Sequence, residues 1–322
     1  MRIAIGQFSE LDERALRFSR QVGAPGVVVN TPNLGGPPWR TDDLRALRED
    51  CEAHGLRLES IENIPTEHYL DAMLGRAGRG RCVADYQQTV RNMGAAGIGV
   101  LGLNWMPGGV GRTDFGAAVG RGGTRVTVFD GPAWDEKLAF GETFSDERMW
   151  ETFSSFVEDV VPVAEEAGVR IALHPDDPPV PSLDGVAHIF RSVDALERAT
   201  QIYPSPSLGI DLCLGCVSEM TGDPLPAIRR LGAAGKIVYV HFRDVQGTVP
   251  SFSECFLGEG NFDSADALRA LRDVGFDGFI IDDHAPMFDD DPPDGVGFAY
   301  HGHGHATGYL QGLLAAVMTE AR

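Results

Sequence analysis

The chain is short of positive charge. Of 322 residues, 27 are Lys or Arg against 47 Asp or Glu, giving a formal net charge of −20. A nucleic-acid binder needs a basic footprint for phosphates, so that class is excluded. No apolar run approaches the ~20 residues that a membrane span needs, which removes that class as well. The N-terminal MRIAIGQFSE has one Arg and a short apolar stretch that turns polar at once. It reads as a first strand and not as an export signal, and the cytoplasm is the expected location. The five cysteines (Cys51, Cys82, Cys213, Cys216, Cys255) are odd in number and scattered, which argues against a disulfide framework. The CLGC pair has no second CxxC for a zinc knuckle and opens no thioredoxin-like unit, so Cys216 is read as structural. Nor is there a GxGxxG after the first strand, a linker or a short-period repeat.

What the sequence does contain is one pattern from end to end: a short β-branched or apolar run, a loop, then an amphipathic segment. The runs Arg2–Gly6, Gly26–Asn30, Leu56–Glu62, Gly99–Asn104, Val169–His174, Leu208–Cys213, Ile237–His241 and Gly278–Asp283 predict strands. Helices are expected over Asp43–His54, Glu151–Ala167, Asp194–Tyr203, Leu225–Ala234, Ser264–Val274 and Thr307–Ala321, with a bend or break at Pro162. Eight strands alternating with helices imply a parallel sheet that closes into a single (β/α)₈ TIM barrel spanning residues 1–322. The loops over about 63–82, 105–145 and 175–191 are long, as covers over a site often are.

In such barrels the chemistry sits at the C-terminal strand ends. Those positions here hold Gln7, Asn30, Glu62, Asn104, His174, Cys213, His241 and Asp283, all polar or ionisable. The last four strands thus offer two imidazoles, a thiol and a carboxylate, a metal-ligand set in type. Taken singly, each has a plainer reading as a hydrogen-bonded or capping residue. Four neighbouring strands placing ligand-type side chains at one level favour a divalent ion.

The motifs at those strand ends carry a resemblance to a known family. VVPVAEEAGVRIALHPDDPP (Val160–Pro179) is similar to the corresponding segment of the mannonate dehydratases. So are LRLESIENIP (Leu56–Pro65), NWMP (Asn104–Pro107) with RTD (Arg112–Asp114), GIDLCLG (Gly209–Gly215), YVHFRD (Tyr239–Asp244) and DDH (Asp282–His284). The resemblance runs along nearly the whole chain. It implies a xylose-isomerase-like barrel that removes water from D-mannonate to give 2-keto-3-deoxygluconate. It also implies Mn(II) or Fe(II) on His174, Cys213, His241 and Asp283, and His284 as acid/base. Asn104, Arg112, Asp176 and Arg243 are expected to line the pocket of a sugar acid. An Arg such as Arg112 would suit bidentate capture of its carboxylate. Related barrels commonly associate, so a homo-oligomer is expected by analogy.

Two places depart from the family pattern. Where the family carries a catalytic Tyr before its last helix, this chain reads YHGHGHATGYLQGLL (Tyr300–Leu314), and the matching position falls on Gly304 or His305. His305 is the expected replacement, with His303, Tyr300 and Tyr309 as alternatives. After NWMP, GGVG replaces an aromatic-containing stretch, so a different substrate wall is expected. The expected reaction is metal-assisted dehydration of a sugar acid, through an enediolate stabilised by the ion, with His acid/base catalysis. The alternatives are a sugar or cyclitol isomerase or epimerase on the same fold, and a non-catalytic binding relic.

Overall fold

The structure is a computed structural model, and it describes residues 1–291 and 299–320. Its central sheet contains eight strand positions, the first of them broken. β1 consists of Arg2–Ile3 and Ile5–Phe8; β2 (Gly26–Val29), β3 (Arg57–Ile61) and β4 (Val100–Leu103) follow. Then come β5 (Arg170–Leu173), β6 (Leu208–Cys213), β7 (Ile237–Phe242) and β8 (Phe279–Asp282). Neighbours pair in parallel all the way round. Arg2–Ile3 pairs with β8 and Ile5–Phe8 with β2, so the broken strand closes the ring. The expected α/β barrel is present, and each predicted strand lies within a residue or two of its place.

Past the break at Ala4, Ile5–Phe8 pairs irregularly with β2, and Gly6 lies in the irregularity. The Gly6 φ of +143° is open to glycine and not to L side chains, and a Cβ there would lie 2.5 Å from the Val28 carbonyl oxygen. The strand can therefore distort at this point and bring Gln7 to the mouth.

Strand alternation separates two cores. Ala4, Val28, Ala172, Tyr239, Phe279 and Ile281 are buried together inside the barrel, with the Tyr239 and Phe279 rings stacked at 4.8 Å. Counting two residues onward along β7 and β8 gives His241 and Asp283, so the polar mouth stands on this apolar floor. The helices pack outside. The helix Asp146–Ala167 buries Phe153, Phe156, Val157 and Val160, each such side chain contributing about 1.5–3 kcal/mol. It runs on through Pro162, where a bend or break was expected. The carbonyl that Pro162 cannot satisfy belongs to Glu158, which is exposed to water. The last helix starts earlier than expected, at Tyr300, and continues to Thr319; Ala321 lies outside the described residues.

The long loops carry secondary structure that the sequence reading left as covers. Asp114–Val119 and Arg125–Asp130 form a hairpin that joins Ser251–Glu254 and Val245–Thr248 in a four-stranded antiparallel sheet. The signal was present as a β-branched run, TRVTVFD, following the turn residues GRGG. This sheet brings Phe115 and Thr127, and the loop before it Val110, to the central cavity. Among the described residues no helix is long and apolar enough to cross a membrane.

Gly6→Ala should destabilise the protein by roughly 2–3 kcal/mol, because it forces both backbone strain and a clash. A urea melt would measure the loss, and Gly232→Ala, at a helix position, serves as a comparison for ordinary crowding.

Candidate active site

A cavity of roughly 240 Å³ opens at the C-terminal mouth of the barrel. Its walls include Gln7, Asn30, Glu62, Asn63, Asn104, His174, Asp283 and His284 from the strand ends. Arg112 and Asp177 come from the long loops.

Of the candidate ligands, His174 and Asp283 line the cavity, and the ligand atoms of His174, Cys213 and His241 lie within 4.8 Å of one another. His174 Nδ1 is 2.6 Å from the Pro175 carbonyl, which leaves Nε2 as the ring's coordinating edge. His241 Nε2 sits 3.1 Å from Glu62 and 3.2 Å from Asp211. Its Nδ1 faces Asp283 Oδ2 at 3.6 Å, beyond hydrogen-bond reach, and is a buried nitrogen without a hydrogen-bond partner among the described residues. Burial alone would push the Cys213 thiol up. The Cys216 contact, the Arg243 guanidinium and the two imidazoles outweigh it and hold Cys213 well below a free thiol. A thiolate is the form that ligates metals. Asp283 is likewise held well below the usual carboxylate range, because His284, His241 and Arg243 outweigh the penalty of its burial. This donor set of thiolate, carboxylate and two imidazoles, with an orphaned nitrogen, fits a first-row divalent ion.

Two other clusters have ligand-type atoms at similar spacing and fit less well. Glu62, Asp211 and His241 form one, but Glu62 is engaged by the Tyr239 hydroxyl at 2.7 Å and burial pushes the Asp211 carboxyl well up. Asp177, Cys216 and Glu219 form the other, and the Arg243 guanidinium already supplies the positive charge there.

The arginines correct an expectation. All five N–H groups of Arg112 are spent inside the protein. Nε donates to Thr127 Oγ1 (3.2 Å), and Nη1 to the Gly111 carbonyl (2.9 Å) and Asp177 Oδ1 (2.6 Å). Nη2 donates to Asp177 Oδ2 and Glu254 Oε1, both at 2.8 Å. Arg112 lines the cavity but has no donor left to grip a substrate carboxylate. Arg243 does not line it. It donates to Asp177 (2.6 Å), Glu254 (3.0 Å) and Glu219 (2.5 Å), with only 1% of its side chain exposed. Gly215 makes this possible, since a Cβ there would lie 2.1 Å from Arg243 Nε.

Asp176 also stands apart from the cavity. Its carboxylate accepts from the Phe190 amide at 2.5 Å and pins the loop over residues 175–191, while Asp177 takes the cavity wall. Asn104 does reach the cavity, its Oδ1 held by the Met106 amide at 2.8 Å. Of the residues weighed against the missing Tyr, none lines the cavity. His305 is exposed, its ring 4.9 Å from that of Phe256. His303 is buried against Asp282 at 2.5 Å, Tyr300 packs edge-on to Phe18, and the Tyr309 hydroxyl lies against Gly258. All four sit on a regular helix outside the barrel, so none takes the place of the missing Tyr at the cavity.

His284 reaches the cavity, and its partner was not foreseen. Nδ1 is 2.6 Å from Glu254 Oε1, and Nε2 is 3.7 Å from Asp283 Oδ1. Burial would lower this imidazole, but Asp283 and Glu254 outweigh that and raise it. Glu254 itself is drawn down to about 2: His284, Arg112 and Arg243 overcome the effect of burial. Glu254 stands in the antiparallel sheet 30 residues before His284, with no motif around it to draw notice.

A family model for D-mannonate dehydratase (UxuA) matches residues 1–140 and 132–322. The chain belongs to the mannonate dehydratase family. Mannonate dehydratase 2 of Halalkalibacterium halodurans is 31% identical over a 349-residue alignment, covering 98% of this chain and 99% of the relative. The mannonate dehydratase of Streptococcus uberis is 30% identical, covering 100% of both. A crystal structure of mannonate dehydratase from Streptococcus suis serotype2 superimposes with a TM-score of 0.90 at 26% identity, over 100% of this chain and 94% of that one. Membership places the chain among the hydro-lyases. An L-ribulose 3-epimerase structure shares the xylose-isomerase-like barrel, with a TM-score of 0.63 at 18% identity, and that likeness concerns the fold alone.

Asp177→Asn should cost about 3–5 kcal/mol at pH 7, because it removes one carboxylate from between two buried guanidiniums. The Asp177 carboxyl is depressed below its unfolded value of 3.8, where Arg112 and Arg243 outweigh burial. Its contribution is therefore complete above pH 3.8 and fades as pH falls below that. Urea melts of wild type and variant should show a gap that is constant from pH 7 to 5 and narrows in acid.

Proposed function

We propose that this chain dehydrates a sugar acid, D-mannonate or a related aldonic or uronic acid, to a 2-keto-3-deoxy acid. The observation that carries this reading is that a thiolate–imidazole cluster and the His284–Glu254 pair reach one cavity, through His174 and His284, within a chain of this family.

His174, Cys213, His241 and Asp283 would hold Mn(II) or Fe(II), and when bound the ion supplies Lewis-acid stabilisation of developing negative charge. With all five N–H groups of Arg112 committed, no guanidinium donor in the cavity wall is left for the carboxylate of the substrate. Asn104, its oxygen already engaged, turns its amide N–H groups to substrate oxygens. Glu254 fixes the His284 ring by accepting at Nδ1, so Nε2 is the atom that carries a proton to and from the substrate. Asp283 and Glu254 favour the protonated form of His284, which suits protonation of the departing hydroxyl. Val110, Phe115 and Thr127 supply the wall that shields this step from water. An isomerase or epimerase would need no acid aimed at a leaving hydroxyl, and that reading rests on the shared fold alone.

Incubating the Mn(II)-loaded protein with a panel of sugar acids should yield a 2-keto-3-deoxy product. Failure of every acid to lose water, while a keto sugar exchanges its α-proton with solvent, would overturn the dehydratase reading. Cys213→Ala should lower bound metal and activity together, and unchanged metal content would remove Cys213 from the ligand set. His284→Ala should keep its metal and lose about 10²–10⁴-fold in kcat.

A further inference from the structure

Three carboxamides stand side by side on the cavity wall, one on each of three consecutive strand ends. Asn63 Nδ2 donates to Asn30 Oδ1 at 3.2 Å, and Asn30 Nδ2 donates to Gln7 Oε1 at 2.5 Å. Gln7 Nε2 donates to Asp283 Oδ1 at 3.2 Å. The run therefore crosses from β3 to β2 to β1 and ends on β8. It also spans the seam. Backbone pairing between β1 and β8 reaches Ala4–Ile280, and the next link toward the mouth is this side-chain contact.

The direction of the run is dictated by its end. An ionised carboxylate only accepts, so Gln7 must turn its NH₂ to Asp283 and its oxygen to Asn30. Asn30 must then donate to that oxygen and show its own oxygen to Asn63. One carboxylate thus orients three amides that would otherwise flip freely between two nearly equal states.

We propose that Gln7, Asn30 and Asn63 form a one-way amide ladder that positions Asp283 for metal binding and presents neutral N–H donors to the hydroxyls of the sugar acid. Gln7 holds Oδ1, which leaves Oδ2 facing His241. Each amide nitrogen has two hydrogens and spends one along the ladder. Among the described residues no acceptor takes the second, and all three residues line the cavity. With Arg112 fully engaged, this row adds to Asn104 a set of neutral N–H donors open to a polyol chain. Gln7, Asn30 and Asn63 are positioning residues toward the ion, and this inference rests on the ligand assignment proposed above.

The test exploits direction. Asn30→Asp is nearly isosteric but, ionised, can only accept. Gln7 must then either lose its partner or turn its oxygen onto Asp283. Asn30→Ala removes the rung without reversing it. A space-filling role predicts that Asp is the better tolerated of the two, and simple charge attraction predicts that Asp tightens cation binding. The ladder predicts the opposite of both. Mn(II) titrations without substrate should show the Kd raised about 10-fold or more by Asn30→Asp and several-fold less by Asn30→Ala. Metal binding by Asn30→Asp that equals or exceeds that of Asn30→Ala would overturn the proposal. If Asn30→Asp does not fold, Asn63→Asp against Asn63→Ala is read for the same order. If the wild type binds no Mn(II), the ligand assignment fails separately. The ladder is then judged on the metal-free protein, where Asn30→Asp should have the lower Tm, and an equal or higher Tm refutes it.

Discussion

Burying a guanidinium without a carboxylate beside it is prohibitively costly, and this barrel buries two at its mouth. Arg112 and Arg243 share Asp177 and Glu254 between them, and Arg243 takes Glu219 as well. Those five residues come from three different loops, one strand end and the helix that follows β6. The requirement that each charge be matched fixes where every one of those segments lies. The antiparallel sheet is anchored through Glu254 and the loop over residues 175–191 through Asp177. The helix that begins after Cys213 is held through Glu219. His284 then finds its partner at 2.6 Å because Glu254 has already been placed by the arginines. The chemistry at the cavity depends on a charge-matching problem solved one layer behind it.

The barrel was legible because its information is local and periodic. Each strand is a short apolar run bounded by turn residues, and its last residue announces itself by being polar. His174, Cys213, His241, Asp283 and Asn104 reach the mouth for that reason. The same logic picked out Gln7, Asn30 and Glu62, although their mutual contacts could not be read. A residue at a strand end has a known height and direction before anything is known of its neighbours.

What lay on the loops was legible only as chemistry type. HPDDPP offered two adjacent aspartates, and no periodicity chooses between them in irregular backbone. Asp176 turns to the Phe190 amide and Asp177 to the arginines. Arg112 looked like a carboxylate clamp and Arg243 like a pocket residue, since nothing in the sequence reveals that other carboxylates have claimed them. Glu254 carried no motif, and only its distance to His284 gives it a role. The HGHGH run misled for a related reason. Its histidines stood where a replacement for the missing Tyr was expected, but the helical setting of Tyr300–Thr319 sends successive histidines to different faces. One is buried on Asp282, one is paired with Asp291 and one is outside against Phe256.

The sheet over the cavity joins segments far apart in the chain: Asp130 and Ser251, bonded through the serine hydroxyl, are 121 positions apart. Contacts of such separation close large loops, and they reward the chain only after the intervening structure exists. β5, β6 and β7 must all be in place before Ser251–Glu254 can dock on Arg125–Asp130. Closing the barrel reaches further still, since Arg2 pairs with Phe279 and Gln7 with Asp283. In a refolding experiment, the capacity to bind a metal ion and the capacity to move a proton would therefore both be gained late, each waiting on a contact between distant parts of the chain.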